Sequence, residues 1–398
     1  MALESAAAEA KRLAERARAC RSAAIVFSDD AEGVASAAVA SSMLDDLGKE
    51  YRMICLDKPV PDAIEALQDE APSDLYILLG FHEDLSSSLP PELRASALLV
   101  AGSRHPGRPA SAAAIVYLAH RRVRGSRVPT CGIALIGLED PINAVGLDWL
   151  VLCDAVAEGL ADKRGRRGGL RVRVGGAFRD AKAVRGEVWL ASAAMYYRGG
   201  PLEAASALAR GSYEEVRRLA REALGLVSSA FRGGIKNLEL EGLFRLKAVQ
   251  WFMGTGEFRG IGTSVFDDFV HRLRVKSRLV DRDKYILGIV ERRPEVPGLP
   301  SLRRRWLSVS VSVPRYLEAL ISGGTVSVSV PRYLEALISG GTAKPVSMLV
   351  GEAARYVDGI GYGTAHRGFA VIPAGVEDLF VSRFEELAGV RGGEAAPV

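Results

Sequence analysis

Along the first 140 residues, short apolar runs alternate with stretches whose small and apolar residues recur at helical spacing. Ala23-Ala24-Ile25-Val26-Phe27 is one such run, ended by Ser28-Asp29-Asp30. The spacing predicts a helix over 33–47, a second strand over 51–56 and a helix over 61–68. It predicts further strands over 75–80 and 97–102, a helix over 111–122 and a fifth strand over 132–137. Strands apolar on both faces, alternating with helices, imply a parallel sheet covered on both sides. In such sheets, functional groups gather where the chain leaves the C-terminal ends of the strands. Residues 1–21 alternate Ala with Glu, Lys and Arg, which predicts an amphipathic helix without the apolar centre of a signal peptide.

The texture then shifts. Residues 163–169 are basic and glycine-rich and read as a boundary. Residues 186–229 are strongly helical in pattern. From about residue 240, strand-like runs such as Tyr285-Ile286-Leu287-Gly288-Ile289-Val290 mix with helices, and 292–300 carries three prolines and reads as a loop. The expected fold class is α/β: a parallel-sheet domain over 1–160, a helical connector over 161–238 and a smaller mixed α/β domain over 239–398. Residues 309–325 recur identically as 326–342. Two copies of a 17-residue unit are too few for a solenoid. The expectation is a duplication in which one copy keeps the native place and the other bulges out.

Composition narrows the class. The 398 residues are 48% hydrophobic and 25% charged, an ordinary globular mix, and no run of 18 apolar residues predicts a membrane span. The four cysteines, Cys20, Cys55, Cys131 and Cys153, lack metal-binding or disulfide spacing, which points to a reduced, cytoplasmic protein. With 52 basic and 48 acidic residues, net charge gives no sign of nucleic-acid binding, so any such role needs a local patch.

Asp29, Asp30 and Glu32 put three carboxylates at the first strand exit, a pattern able to hold a divalent metal. Asp29 also suits the N-cap of the helix that follows. With Gly33 and the small residues Val34-Ala35-Ser36-Ala37-Ala38, this segment resembles the first motif of the DHH phosphoesterase superfamily, in particular RecJ-type nucleases. That motif is His-x-Asp-x-Asp-Gly; Ser28 stands in the His place, Asp30 and Glu32 in the acidic places and Gly33 in the Gly place. The second motif is an Asp closing an apolar strand, and here Gly80 closes it. The third is Asp-His-His, and here Gly102-Ser103-Arg104 precedes His105-Pro106. The fourth is an Asp, matched by Asp140 in Gly137-Leu138-Glu139-Asp140. Gly363-Thr364-Ala365-His366-Arg367-Gly368 resembles the Gly-rich loop of the associated DHHA1 domain.

The resemblance implies two Mn²⁺ or Mg²⁺ ions that clamp a phosphate and activate water. Two of the four strand exits lack ligands here, and Arg104 brings a fixed cation able to neutralise Asp30, Glu32 and Asp140 in the metals' place. The expectation is a vestigial centre with no catalytic residue and no cofactor. Were the centre active, Asp30, Glu32, Asp140 and His82 would hold the metals. His82 and His105 are otherwise ordinary loop residues, and His120 and His271 ordinary helix residues. Gly363, His366 and Arg367 form a candidate phosphate loop. Basic clusters at 163–173 and 272–284, and Arg303, Arg304 and Arg305, are candidate contacts for a single-stranded nucleic-acid backbone. A RecJ-like chain without metal ligands resembles the cell-division-cycle 45 family and its archaeal relatives. That implies a non-catalytic subunit held by GINS beside an MCM-type helicase, guiding single-stranded DNA, with no membrane partner. The residues leave two other readings open: an active metal-dependent single-strand exonuclease or nucleotide phosphoesterase, and an RNA- or nucleotide-binding regulator.

Overall fold

A computed structural model describes residues 2–82, 85–101, 110–126, 128–163, 169–276, 278–314 and 344–389. The chain divides into two compact units, 1–227 with 295–302, and 228–294 with 303–398. Residues 161–227 of the expected connector thus group with the first unit.

In the first unit, β1 (Ser22–Phe27), β2 (Glu50–Cys55), β3 (Leu75–Leu79) and β4 (Ala97–Val100) form a sheet in the order β2-β1-β3-β4. All three pairings are parallel. Helix α1 (Ala2–Ala19) precedes the sheet. Between the strands run α2 (Ala31–Asp46), α3 (Pro61–Glu70) and the short turns α4 (Leu85–Ser88) and α5 (Pro91–Ser96). Then come α6 (Ala112–Arg124), α7 (Cys131–Gly137) and α8 (Gly146–Ala157). A small antiparallel sheet of β5 (Ala161–Asp162), β6 (Arg171–Val174) and β7 (Ala177–Asp180) follows. Helices α9 (Ala181–Trp189), α10 (Gly200–Ala209) and α11 (Tyr213–Glu241) come next, and α11 runs on into the second unit.

Helix α2 is the centre of this unit. Its Ala, Ser and Gly side chains are short, so it is buried along almost its whole length and packs against α6, α7 and α10. The expected fifth strand over 132–137 is instead α7. An apolar run of this length fits a buried helix as well as a strand. A Cβ at Gly137 would stand 2.7 Å from the Ala113 Cβ and 3.1 Å from the Ala35 Cβ. The glycine therefore lets α7 nest against α2 and α6. Arg185 fixes its end by donating to the carbonyls of Gly137 (2.5 Å) and Leu138 (2.8 Å).

The second unit holds a six-stranded sheet in the order β12-β13-β11-β10-β9-β8. Its strands are β8 (Phe244–Arg245), β9 (Val249–Met253), β10 (Tyr285–Glu291), β11 (Trp306–Ser312), β12 (Ile360–Gly363) and β13 (Arg367–Pro373). Only the β9–β10 pairing is parallel. Helices α12 (Thr263–Lys276), α13 (Val346–Tyr356) and α14 (Glu377–Gly389) cover it. Val309, Val311, Leu287 and Ile289 of the sheet pack with Val350, Phe380 and Phe384. Residues 309–312, the start of the first repeat copy, form the end of β11. The rest of that copy from 315 on, and the whole second copy, lie outside the described residues. No helix among the described residues is long and apolar enough to cross a membrane.

Candidate functional site at the strand exits

In register, Phe27 lies beside Cys55 and Leu79, and Leu79 beside Val100, so the four strands end in one layer. The chain leaves that layer at 28–30, 56–58, 80 and 101. Ser28 N donates to the Leu79 carbonyl, Leu56 N to that of Phe27, and Gly80 N to that of Val100. The ladder therefore continues one residue past each strand and fixes the exits tightly.

Ser28, Asp29, Asp30 and Glu32 are all buried. The N-cap of α2 is Asp30, not Asp29: Asp30 Oδ1 accepts from Gly33 N at 2.8 Å and from Ser28 Oγ at 3.2 Å. One oxygen thus takes two local donors. Glu32 reaches across to α6, where its Oε1 accepts from Ala112 N at 2.8 Å. It satisfies an N-terminal N–H that α6 cannot satisfy internally. Asp148 does the same one residue earlier, accepting from Ser111 N and Oγ at 2.9 Å each. Burial raises the Asp148 carboxyl above its usual range, against the pull of these two donors.

Ser28 sits in a slot between two glycines. A Cβ at Gly33 would come within 2.2 Å of the Ser28 carbonyl and 2.3 Å of its Oγ, and one at Gly80 within 2.4 Å of that Oγ. Gly80 also has φ +81°, a left-handed conformation that side chains rarely adopt. No Asp fits at Gly80 without moving Ser28 or the β1 exit.

Asp140 follows α7. It lies exposed beyond α7, accepting from Asn143 Nδ2 at 2.8 Å, and that bond leads in holding its carboxyl below the usual range. It is reached from the end of helix α7 and not from a fifth strand of the sheet. His82 follows β3, and its carbonyl accepts from Leu85 N at 3.1 Å. Arg104 and His105 lie outside the described residues.

The β2 exit carries two residues that sequence reasoning passed over, Asp57 and Lys58. Both are buried, and Lys58 N donates to Asp57 Oδ1 at 2.9 Å. Tyr196 braces this exit by donating its hydroxyl to the Cys55 carbonyl at 2.9 Å. Burial, then the charges of Asp29, Asp57 and Asp30, push the Cys55 thiol well up. Asp29, Asp30 and Asp57 thus all act on the end of β2, and Lys58 is the buried Lys or Arg of this unit among the described residues. The exit rule would have singled out 56–58, since β2 ends in the same layer as β1 and β3.

Among the described residues, these side chains do not fit the metal pair that the resemblance implies. Asp30 and Glu32 each already serve a helix N-terminus, Gly80 has no room for a ligand side chain, and Asp140 bonds its own turn through Asn143. No three His, Cys, Asp or Glu side chains among the described residues are grouped so as to hold a metal ion.

The candidate phosphate loop is in the second unit. His366 N and Arg367 N both point to Thr364 Oγ1, at 3.3 and 3.2 Å, and Thr364 N donates to the Arg367 carbonyl at 2.8 Å. Its amides are thus committed within the turn. Arg303, Arg304 and Arg305 are exposed, and Arg305 makes a forked contact with Glu291. In the other clusters, Arg171 pairs with Asp162, Arg272 with Asp268, and Lys284 with Asp281. His120 proves to be more than an ordinary helix residue. It is buried between Asp46 (2.7 Å) and Thr130 (3.1 Å).

Comparison with solved structures decides the fold. The chain matches the exonuclease RecJ bound to manganese with TM-score 0.50 and 14% identity, covering 98% of this chain and 94% of that one. It has a RecJ-like DHH/DHHA1 fold. RecJ from Thermus thermophilus, in complex with Mn²⁺, matches at TM-score 0.52 and 15% identity over 98% of this chain, which spans 55% of that protein. CDC45 from Entamoeba histolytica matches at TM-score 0.52 and 8% identity, over 96% of this chain and 98% of that one. No protein-family profile matches the sequence. No curated protein matches it by sequence.

Proposed function

We propose that this DHH-fold chain is a non-catalytic, single-stranded-DNA-binding subunit of a replicative helicase assembly, working with GINS and an MCM-type ring. The observation that carries the reading is the use of the strand-exit carboxylates. Asp30 and Glu32 hold the N-termini of α2 and α6, and Gly80 packs on Ser28 where a ligand would stand. A buried charge needs compensation. Lys58, buried at the neighbouring β2 exit, is the candidate to compensate Asp29, Asp30 and Asp57. The fold shared with CDC45 supports the replication setting.

The test pairs two measurements on the full chain. Fluorescence anisotropy of a labelled oligo-dT should show binding that weakens steeply as salt rises. Pull-down from native extract of the source organism should recover GINS and MCM subunits. Absence of both results sinks the reading.

One observation favours a second reading, a metal-dependent phosphoesterase: Asp29, Asp30 and Glu32 are all buried at the β1 exit, where the family motif places its acidic residues. Mn²⁺-dependent hydrolysis of single-stranded DNA, abolished by Asp30→Ala, would establish it.

A further inference from the structure

Helix α8 has the sequence GLDWLVLCDAVA, apolar on nearly every side. A helix of that kind is ordinarily wrapped all round. Leu147, Val151, Leu152 and Ala155 are indeed buried. Yet Val145 is 70% exposed, Trp149 46% and Val156 44%, and Ile142 just ahead of the helix 55%. Cys153 is exposed too, whereas the other three cysteines are buried. Positions 145, 149, 153 and 156 step by three or four residues, so they form one stripe down one side of the helix, and the exposed Ile142 lies in the turn before it. The Lys163 ammonium lies over the Trp149 ring, 4.5 Å from its centroid. The exposed carboxylates Glu139 and Asp140 precede the helix, and the exposed Glu158 follows it.

Those charges select the occupant. A second copy of the chain, packed stripe on stripe about a two-fold axis, would set Glu139 and Asp140 of one copy against Glu158 of the other. Like charges would then meet at both ends. An anionic membrane surface is repelled by the same three groups. A helix with an apolar face and a cation at each end matches apolar to apolar and opposite charge to opposite charge. We propose that the outer face of α8 is a docking site for an amphipathic α-helix of another protein, apolar along one side and basic at both ends. The inference stands whether or not the helicase role does, since it draws on no strand-exit residue.

Cys153 reports occupancy directly, because it sits in the stripe. The experiment measures the rate of Cys153 alkylation by iodoacetamide on the full chain. The probe is a 16-residue helical peptide with Leu at matching three- and four-residue steps and Lys-Arg at each end. The peptide is expected to slow alkylation at least tenfold. A version with Glu at each end should bind at least tenfold more weakly, and a scrambled version should not protect. Trp149→Ser should weaken binding at least tenfold with the unfolding midpoint unchanged. If that variant unfolds more easily, Val145→Ser, at the most exposed position, carries the test instead. Equal protection by the acidic or scrambled peptide would overturn the proposal, as would no protection at all. So would protection by neutral phosphatidylcholine vesicles, or protection that rises with protein concentration alone while sedimentation shows a dimer.

Discussion

The strand exits of the first sheet and the outer face of α8 invert what their sequences suggest. The exits carry the carboxylates that suggest chemistry, yet those carboxylates are buried and serve the fold, Asp30 accepting from Gly33 N and Glu32 from Ala112 N. Helix α8 is apolar on nearly every side, yet one of its sides faces solvent with Val145, Trp149 and Val156 uncovered. The contrast teaches that a polar residue is available for function only to the extent that the backbone around it is already satisfied. An apolar residue is structural only if something covers it.

The largest expected effect comes from restoring a side chain at Gly80. Gly80→Ala must adopt a strained φ and displace Ser28, so denaturant unfolding should show a loss of about 3 kcal/mol or more. A loss under about 1 kcal/mol would mean that the exits yield easily and that their closure is no barrier to a ligand.

Next comes Glu32. Glu32→Ala leaves Ala112 N buried and unsatisfied and should cost about 2 kcal/mol, whereas Glu32→Gln keeps an acceptor and should cost less than half of that. If the two variants proved equally destabilised, charge rather than the cap would be what Glu32 contributes.

A smaller effect lies in the helical layer behind the sheet. Burial holds the His120 imidazole below its ordinary value, against the pull of Asp46. The unfolded chain takes up that proton near about pH 6.5. The folded chain binds it only at lower pH, so stability is full above that point and falls as pH drops toward the folded value. At Asp46, burial opposes ionisation, but His120 and Arg124 win and hold the carboxyl low, which adds a loss at still lower pH. Melting curves from pH 7.5 to 5 should therefore slope downward, and His120→Gln should flatten the part near pH 6.5. An unchanged slope in that variant would assign the effect elsewhere.

Much of the first unit was legible. Apolar runs bounded by turn residues placed β1 to β4, and the Ala- and Ser-rich stretch after Gly33 placed α2. Residues 132–137 were misread because a six-residue apolar segment has no period that separates strand from buried helix. The decision there rests on Gly137 meeting Ala35 and Ala113, contacts made between segments far apart in the chain. At the site, the positions of Asp30 and Glu32 were legible but their use was not. Asp30 took the cap expected of Asp29, a choice of one residue set by how the β1 exit turns. Glu32 bonds a residue 80 positions away. Asp57 and Lys58 were open to discovery by the exit rule, but neither belongs to a motif, and their burial depends on the fold.

The central claim is that the strand-exit carboxylates serve structure and do not hold a metal pair. Its most direct test is a Mn²⁺ titration of the purified full chain, followed by electron paramagnetic resonance of the free ion, with Asp30→Ala in parallel. Added Mn²⁺ is expected to stay free, and the two proteins to behave alike. Two ions bound per chain, and lost in Asp30→Ala, would contradict it.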